Sequence, residues 1–377
     1  MTDKKKRFPE WLRTVPLFIL LCVLGGTCGY LGLSLAEQFI PDYATPWSVL
    51  LLPLLLYAAF LLQIILHEAG HWCFGAMTGY RCYSFRIFNL CFVMLDGKVQ
   101  LRRMSLPGTG GQCLMSPPDL HDGKMPCLLY NLGGVLMNLL TAVLCLLLSR
   151  IAFGWLAAFL IMMCVAGVCF ALTNGIPLHM QGLDNDGYNA LSLCRSPAAQ
   201  RALWIQLKIS ETTYRGVRLR DMPEEWFQLP SEDDTGNALL AALAVFAENR
   251  LMDEQRFEEA AQLIDRLTVS PGAIPGIYLA LLTADRIYCE LMGEQRREVL
   301  DQLQSNKLYQ KIAKQMKSFP SILRTNYAVA LLDTRDEAKA KDIYQQFKKA
   351  AAAYPAPADI ASERELIALA QQKAQKN

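Results

Sequence analysis

The segment His67-Glu68-Ala69-Gly70-His71 carries the residue types of a metal-assisted hydrolytic site. On a helix, positions i and i+4 share a face, so two imidazoles spaced this way can reach one ion. Glu68 lies between them, placed to take a proton from a polarised water and to return it to a departing amine. Zinc suits this donor set, because it lowers the pKa of its water toward neutrality. The chain has only 4 histidines, and His67 and His71 account for half of them.

Two imidazoles leave such a site incomplete, since catalytic zinc usually takes three protein ligands. Asn174-Gly175-Ile176-Pro177, followed by Asp184-Asn185-Asp186-Gly187, offers carboxylates just past an apolar run. Asp184 and Asp186 both compete for the role. Gly187 favours Asp186, because a glycine after a ligand lets the backbone turn tightly toward a metal.

The elements that must position these groups are membrane helices. A spanning helix needs about 20 apolar residues, and segments 15–36, 47–66, 127–149 and 152–177 qualify. The histidine motif closes the second of them. A charged residue at a span centre costs at least ~2.5–3.5 kcal/mol, so ionisable groups in a span signal function. Lys4, Lys5, Lys6, Arg7 and Arg13 precede the first span, while 37–46 has no basic residue. Arg81, Arg86, Lys98, Arg102, Arg103 and Lys124 follow the second span. By the positive-inside rule, the N-terminus, the central connection and the C-terminal half are expected in the cytoplasm.

Composition agrees with this split. Hydrophobic residues make up 53% and charged residues 19%, lopsided for a soluble protein, and charges reach normal density only after about Leu183. A net charge of +2 without a basic stripe argues against a nucleic-acid partner. The 12 cysteines form no C-x-x-C pair, which argues against a disulfide framework and a thiolate metal site.

The expected organisation is an N-terminal anchor span over 1–46, retained rather than cleaved, and a metal-binding membrane core over 47–191. A linker over 192–236 and a cytoplasmic helical domain over 237–377 follow. In the central connection, 85–95 and 98–104 read as strands of a hairpin turning at Asp96-Gly97. Helical hairpins are expected at 237–268 and 326–351. Ala260 with Ile264, and Ala340 with Tyr344, echo the tetratricopeptide pattern. The fold class is therefore mainly α: a multi-pass helical core, a small membrane-face hairpin and a soluble helical C-terminal domain.

Over 47–191 the chain resembles the site-2 protease family of intramembrane zinc metalloproteases. The histidine motif matches the family's H-E-x-x-H at the end of a span. Gly134-Val135-Leu136-Met137-Asn138 is similar to its G-P-x-x-N motif, with Val135 in place of proline, and 174–187 is similar to its N-x-x-P…D-G motif. The resemblance implies that His67, His71 and the D-G aspartate hold zinc and that Glu68 is the base. It implies that Asn138 contacts substrate backbone. The segment between Pro177 and the aspartate is longer than is usual for the family. The expected function is cleavage of a membrane protein or signal-peptide remnant in the cell membrane. The C-terminal helices would offer a surface to a cytoplasmic protein. The alternative is an inactive membrane-tethered scaffold.

Overall fold

The structure, a computed structural model, describes residues 11–40, 45–180, 183–231 and 236–376. It divides into two compact units: 1–80 with 126–195, and 81–125 with 196–377.

The first unit is helical. Helix α1 (Trp11–Glu37) contains the first expected span; the side chains of 11–18 lie outside the described ones. Helix α2 (Pro46–Ala76) begins where the Thr45 hydroxyl accepts from the Ser48 N–H, with proline at its first position. Helices α3 (Leu128–Ser149) and α4 (Gly154–Gly175) follow. Among the described residues three helices are long and apolar enough to cross a bilayer: Trp47–Ala76, Leu128–Ser149 and Gly154–Gly175. Their polarity is inside out. On α3, Leu139, Leu140, Val143, Leu144 and Leu147 point outward, while Asn131, Gly134, Asn138 and Ser149 are buried. Helices in lipid pack this way, with small and polar residues at their contacts.

Glycine sets the spacing of these helices. A Cβ on Gly70 of α2 would lie 2.3 Å from the Gly133 carbonyl oxygen of α3. A Cβ on Gly167 of α4 would lie 2.8 Å from both the Asn138 carbonyl oxygen and Gln63 Nε2. After α4 come the two-residue strands β5 (His179–Met180) and β6 (Leu183–Asp184), then α5 (Asp186–Arg195).

The second unit begins with four strands, β1 (Arg81–Ile87), β2 (Leu90–Leu95), β3 (Lys98–Arg103) and β4 (Gly111–Ser116), which precede α3 in the chain. They form an antiparallel sheet in the order β3-β2-β1-β4. The expected strand 85–95 is two strands, because a tight turn intervenes at Phe88, which has φ 53°. The Asp96-Gly97 turn has φ 52° and 72° and joins Leu95 to Lys98, the primed geometry that suits strand twist. The sheet belongs with the C-terminal half, not with the membrane core in which the sequence reading grouped it.

The rest of this unit is helical. Helix α6 (Pro197–Tyr214) occupies much of the expected linker. Ala202, Ile205 and Ile209 recur on one face and bury against α7 (Ala238–Asp253), so this stretch folds as core. Helices α7 and α8 (Phe257–Val269) form the first expected hairpin. Then come α9 (Gly276–Met292), α10 (Arg297–Gln304), α11 (Lys307–Gln315), α12 (Pro320–Ala328), α13 (Glu337–Ala353) and α14 (Pro357–Lys376). A π-helical turn, Val329–Asp333, precedes the bend into α13.

Because Gly70 and Gly133 touch through backbone, Gly70→Ala is expected to destabilise the first unit by ~1–3 kcal/mol through overpacking. Gly25→Ala, with nothing within 4 Å of its new methyl, is the matched control. Thermal unfolding of both variants in detergent checks this, and equal melting temperatures would contradict it.

Candidate metal centre

His67 and His71 lie one helical turn apart on α2, and Asp186 opens α5. His67 Nε2 is 3.0 Å and His71 Nε2 3.4 Å from Asp186 Oδ2, and the two Nε2 atoms are 3.2 Å apart. Ligands at the corners of a tetrahedron about 2.0–2.1 Å from zinc lie about 3.3–3.4 Å apart. The triangle therefore has the right size for one ion. Among the described residues this is the group of histidine, cysteine and carboxylate side chains that could hold a metal. Asp184 sits in β6 and is not part of it. Glu68 is buried beside His67 on the same helix.

The hydrogen bonds fix which ring nitrogens face the centre. His71 Nδ1 lies 2.7 Å from the Tyr130 carbonyl oxygen, which can only accept, so this nitrogen donates. For His67 the argument runs through a chain of amides. Gln63 Nε2 donates to the Met163 carbonyl at 2.9 Å, which leaves Gln63 Oε1 as an acceptor. Asn138 Nδ2 donates to that oxygen at 2.7 Å and to the Gln63 carbonyl at 3.1 Å. Asn138 Oδ1 must then accept from His67 Nδ1, 2.7 Å away. Both Nδ1 hydrogens are committed, so in the neutral rings both Nε2 lone pairs point at the centre with the carboxylate. Asp186 Oδ2 is buried and receives no well-formed hydrogen bond. Three electron-rich atoms in contact repel one another unless a cation lies among them.

Burial raises the Asp186 carboxyl, and His71 and His67 beside it, when protonated, outweigh burial and hold it well below the usual carboxylate range.

Close packing seats these groups. A Cβ on Gly134 would lie 2.4–2.6 Å from the His67 ring atoms, so the imidazole rests on bare backbone. Val135, standing where the resembled motif has proline, packs instead on Gly175, whose added Cβ would be 3.0 Å from it. Gly187 has an unexpected reason to be glycine. Its φ is not positive; a Cβ there would lie 2.2 Å from the Gly175 carbonyl oxygen. Close approach to the end of α4, not a tight turn, demands it. Asn185 braces the same junction. Its Nδ2 donates to the Thr173 and Ile176 carbonyls, at 2.8 and 2.6 Å, and its Oδ1 accepts from the Leu178 and Tyr188 N–H groups, each at 3.0 Å. It caps α5 and aims Asp186, the residue after it.

Asn138 is fully buried, with both amide hydrogens and an oxygen lone pair engaged within the chain. It orients His67, and this geometry leaves its Nδ2 no hydrogen for the substrate contact that the family resemblance implies. The sequence reading missed Gln63, Tyr130 and Asn185. Gln63 alone carried a signal, as a polar side chain four residues before the first histidine inside an otherwise apolar span. No family model, curated protein or solved structure matches this chain.

Outer partners of a metal ligand typically govern ~10–100-fold in affinity. Asn138→Ala is expected to weaken metal binding by about that factor, and Gln63→Ala by less. Asp186→Asn should lose most of the metal while Asp184→Asn keeps it. Elemental analysis after dialysis against graded chelator tests the series; equal retention by the two aspartate variants would contradict the assignment.

Proposed function

We propose that the chain is an intramembrane zinc endopeptidase, similar to the site-2 proteases, that hydrolyses peptide bonds of membrane-embedded or signal-remnant substrates. The observation that carries this reading is the triangle of His67 Nε2, His71 Nε2 and Asp186 Oδ2, with both histidines on a helix long and apolar enough to span a bilayer. His67 comes about 30 Å along α2 from Trp47 at ~1.5 Å per residue, the thickness of the hydrocarbon layer. That spacing supports a site at one face of the bilayer.

In this reading His67, His71 and Asp186 hold the ion, with Tyr130 and Asn138 keeping the rings from rotating. Zinc, when bound, would supply a Lewis acid and an acidified water. Glu68 is not among the three ligand atoms and is placed as the proton carrier, taking a proton during attack and delivering it to the departing amine. The small, polar inner surfaces of α2 and α3 keep these groups away from lipid. A helical substrate must unwind before its peptide bonds are exposed, because in lipid each backbone group is otherwise satisfied within its helix.

The distribution of Lys and Arg supports a cytoplasmic placement of the N-terminus, the central connection and the C-terminal unit. The paired helices α7–α8 and α12–α13 support a partner-binding role for that unit, in the manner of tetratricopeptide arrays.

Glu68→Gln keeps the shape of the side chain and removes its basicity. Turnover of a membrane-protein substrate is expected to fall by ~10²–10⁴ with metal content unchanged. Quantitative comparison of membrane proteomes from cells carrying each form would identify substrates that persist in the variant. Near-normal cleavage by the purified variant contradicts this role, and no cleavage by either form favours the inactive scaffold.

A further inference from the structure

The second unit encloses a cavity of about 320 Å³ that the metal centre does not use. Four helices bring ionisable groups to its wall: Glu248 and Asp253 on α7, Asp285 on α9, Arg324 on α12, and Asp359 and Glu363 on α14. The charges do not balance. Arg324 pairs with Asp285 and, at 2.9 Å, with Glu363. Asp253 is held by Arg218, whose Nε lies 2.9 Å from it. Among the described residues no cation pairs with Glu248 or Asp359.

Glu248 is the decisive group. Its exposure is 0%, and neither carboxylate oxygen has a hydrogen-bond partner. An isolated carboxylate in such a place costs several kcal/mol, and Glu248 lies in the cavity's wall with no basic side chain within hydrogen-bond reach. The remaining wall is largely apolar, with Leu281, Phe319 and Leu366 among its residues. Among the described residues these carboxylates do not form a group close enough to hold a metal ion. The space asks for a larger cation with an apolar body.

We propose that this cavity binds an organic cation, an alkylammonium or guanidinium group on an apolar stem, with Glu248 and Asp359 as its counter-charges. The cation pairs with the two carboxylates, and the stem lies along the apolar wall. Two sources offer this chemistry: a free amine, or an arginine or lysine side chain of a peptide.

The cavity also makes stability depend on pH. Burial, and then Glu363 and Asp253, push the Asp359 carboxyl up to about 7. Burial, and then Asp285, push Glu248 well above its ordinary range, against the opposing pull of Arg324. Tyr214, Tyr278 and Tyr354 on the same wall are pushed above their ordinary range and stay neutral. A carboxyl raised on folding contributes stability that is complete below its unfolded pKa and lost as pH rises through its folded one. The unliganded unit should therefore lose stability as pH rises through about 7, and a bound cation should remove that loss.

The test is calorimetric titration of the purified full-length protein with hexylamine, acetyl-arginine methylamide, hexanol and magnesium chloride. Saturable binding of either cation is expected, tighter at pH 8 than at pH 6, with hexanol and magnesium much weaker. Tighter binding of hexylamine marks a free amine as the source, and tighter binding of the arginine derivative marks a peptide. Glu248→Gln should lose at least about tenfold in affinity and lose part of the pH dependence of the melting temperature. If that variant does not fold, Ser362→Phe, which adds bulk to the cavity lining and leaves every carboxylate in the sequence, must abolish binding. Hexanol binding as well as hexylamine, binding of magnesium alone, or cation binding unaffected by the variants overturns the proposal.

Discussion

The membrane unit is organised around where two imidazole hydrogens go. The Tyr130 carbonyl and the Asn138 amide oxygen each take one, at 2.7 Å. With Nδ1 occupied in both rings, the Nε2 lone pairs have one direction left, and Asp186 meets them there. Polar orientation of this kind is strong in an apolar interior, where no water competes. It is also exacting, because an amide facing the wrong way would leave a buried donor against a donor. The Gln63–Asn138 pair meets that demand by ending on the Met163 carbonyl, which can only accept.

The same constraint explains the glycines. Imidazoles can reach these partners only if α2 and α3 approach to backbone contact, which Gly70 and Gly133 permit. Gly134 leaves room for the His67 ring, and Gly187 lets α5 press against the end of α4. Each glycine brings a functional group to its place instead of loosening the chain. The outward-facing leucines of α3 are generic by comparison; its information lies on the inner face.

Much of this was legible in the residues. The i, i+4 histidines, the uncharged run before them and the D-G aspartate name the metal group, and the run lengths name the helices. The Asp96-Gly97 turn was readable because two consecutive positive φ angles favour those residue types. What escaped depended on contacts distant in sequence. Nothing local marks Tyr130 as an acceptor, since its backbone and not its side chain does the work. The strand break at Phe88 was missed because a bulky residue with positive φ gives no turn signal. The carboxylate cavity has no sequence pattern, because its groups come from helices separated by dozens of residues.

The two units differ in how they treat buried charge. In the first, Asp186 faces imidazoles whose orientation is fixed, a group that could hold a metal ion. In the second, Arg324 satisfies Asp285 and Glu363 while the buried Glu248 carboxylate has no hydrogen-bond partner. The central claim concerns the first arrangement, and X-ray absorption at the zinc edge tests it most directly on protein purified without added metal. The account predicts stoichiometric zinc with a shell of nitrogen and oxygen at about 2.0–2.1 Å, showing the outer scattering of two imidazoles and lost in His67→Ala. A sulfur shell, an all-oxygen shell, or protein that takes up no zinc would contradict it.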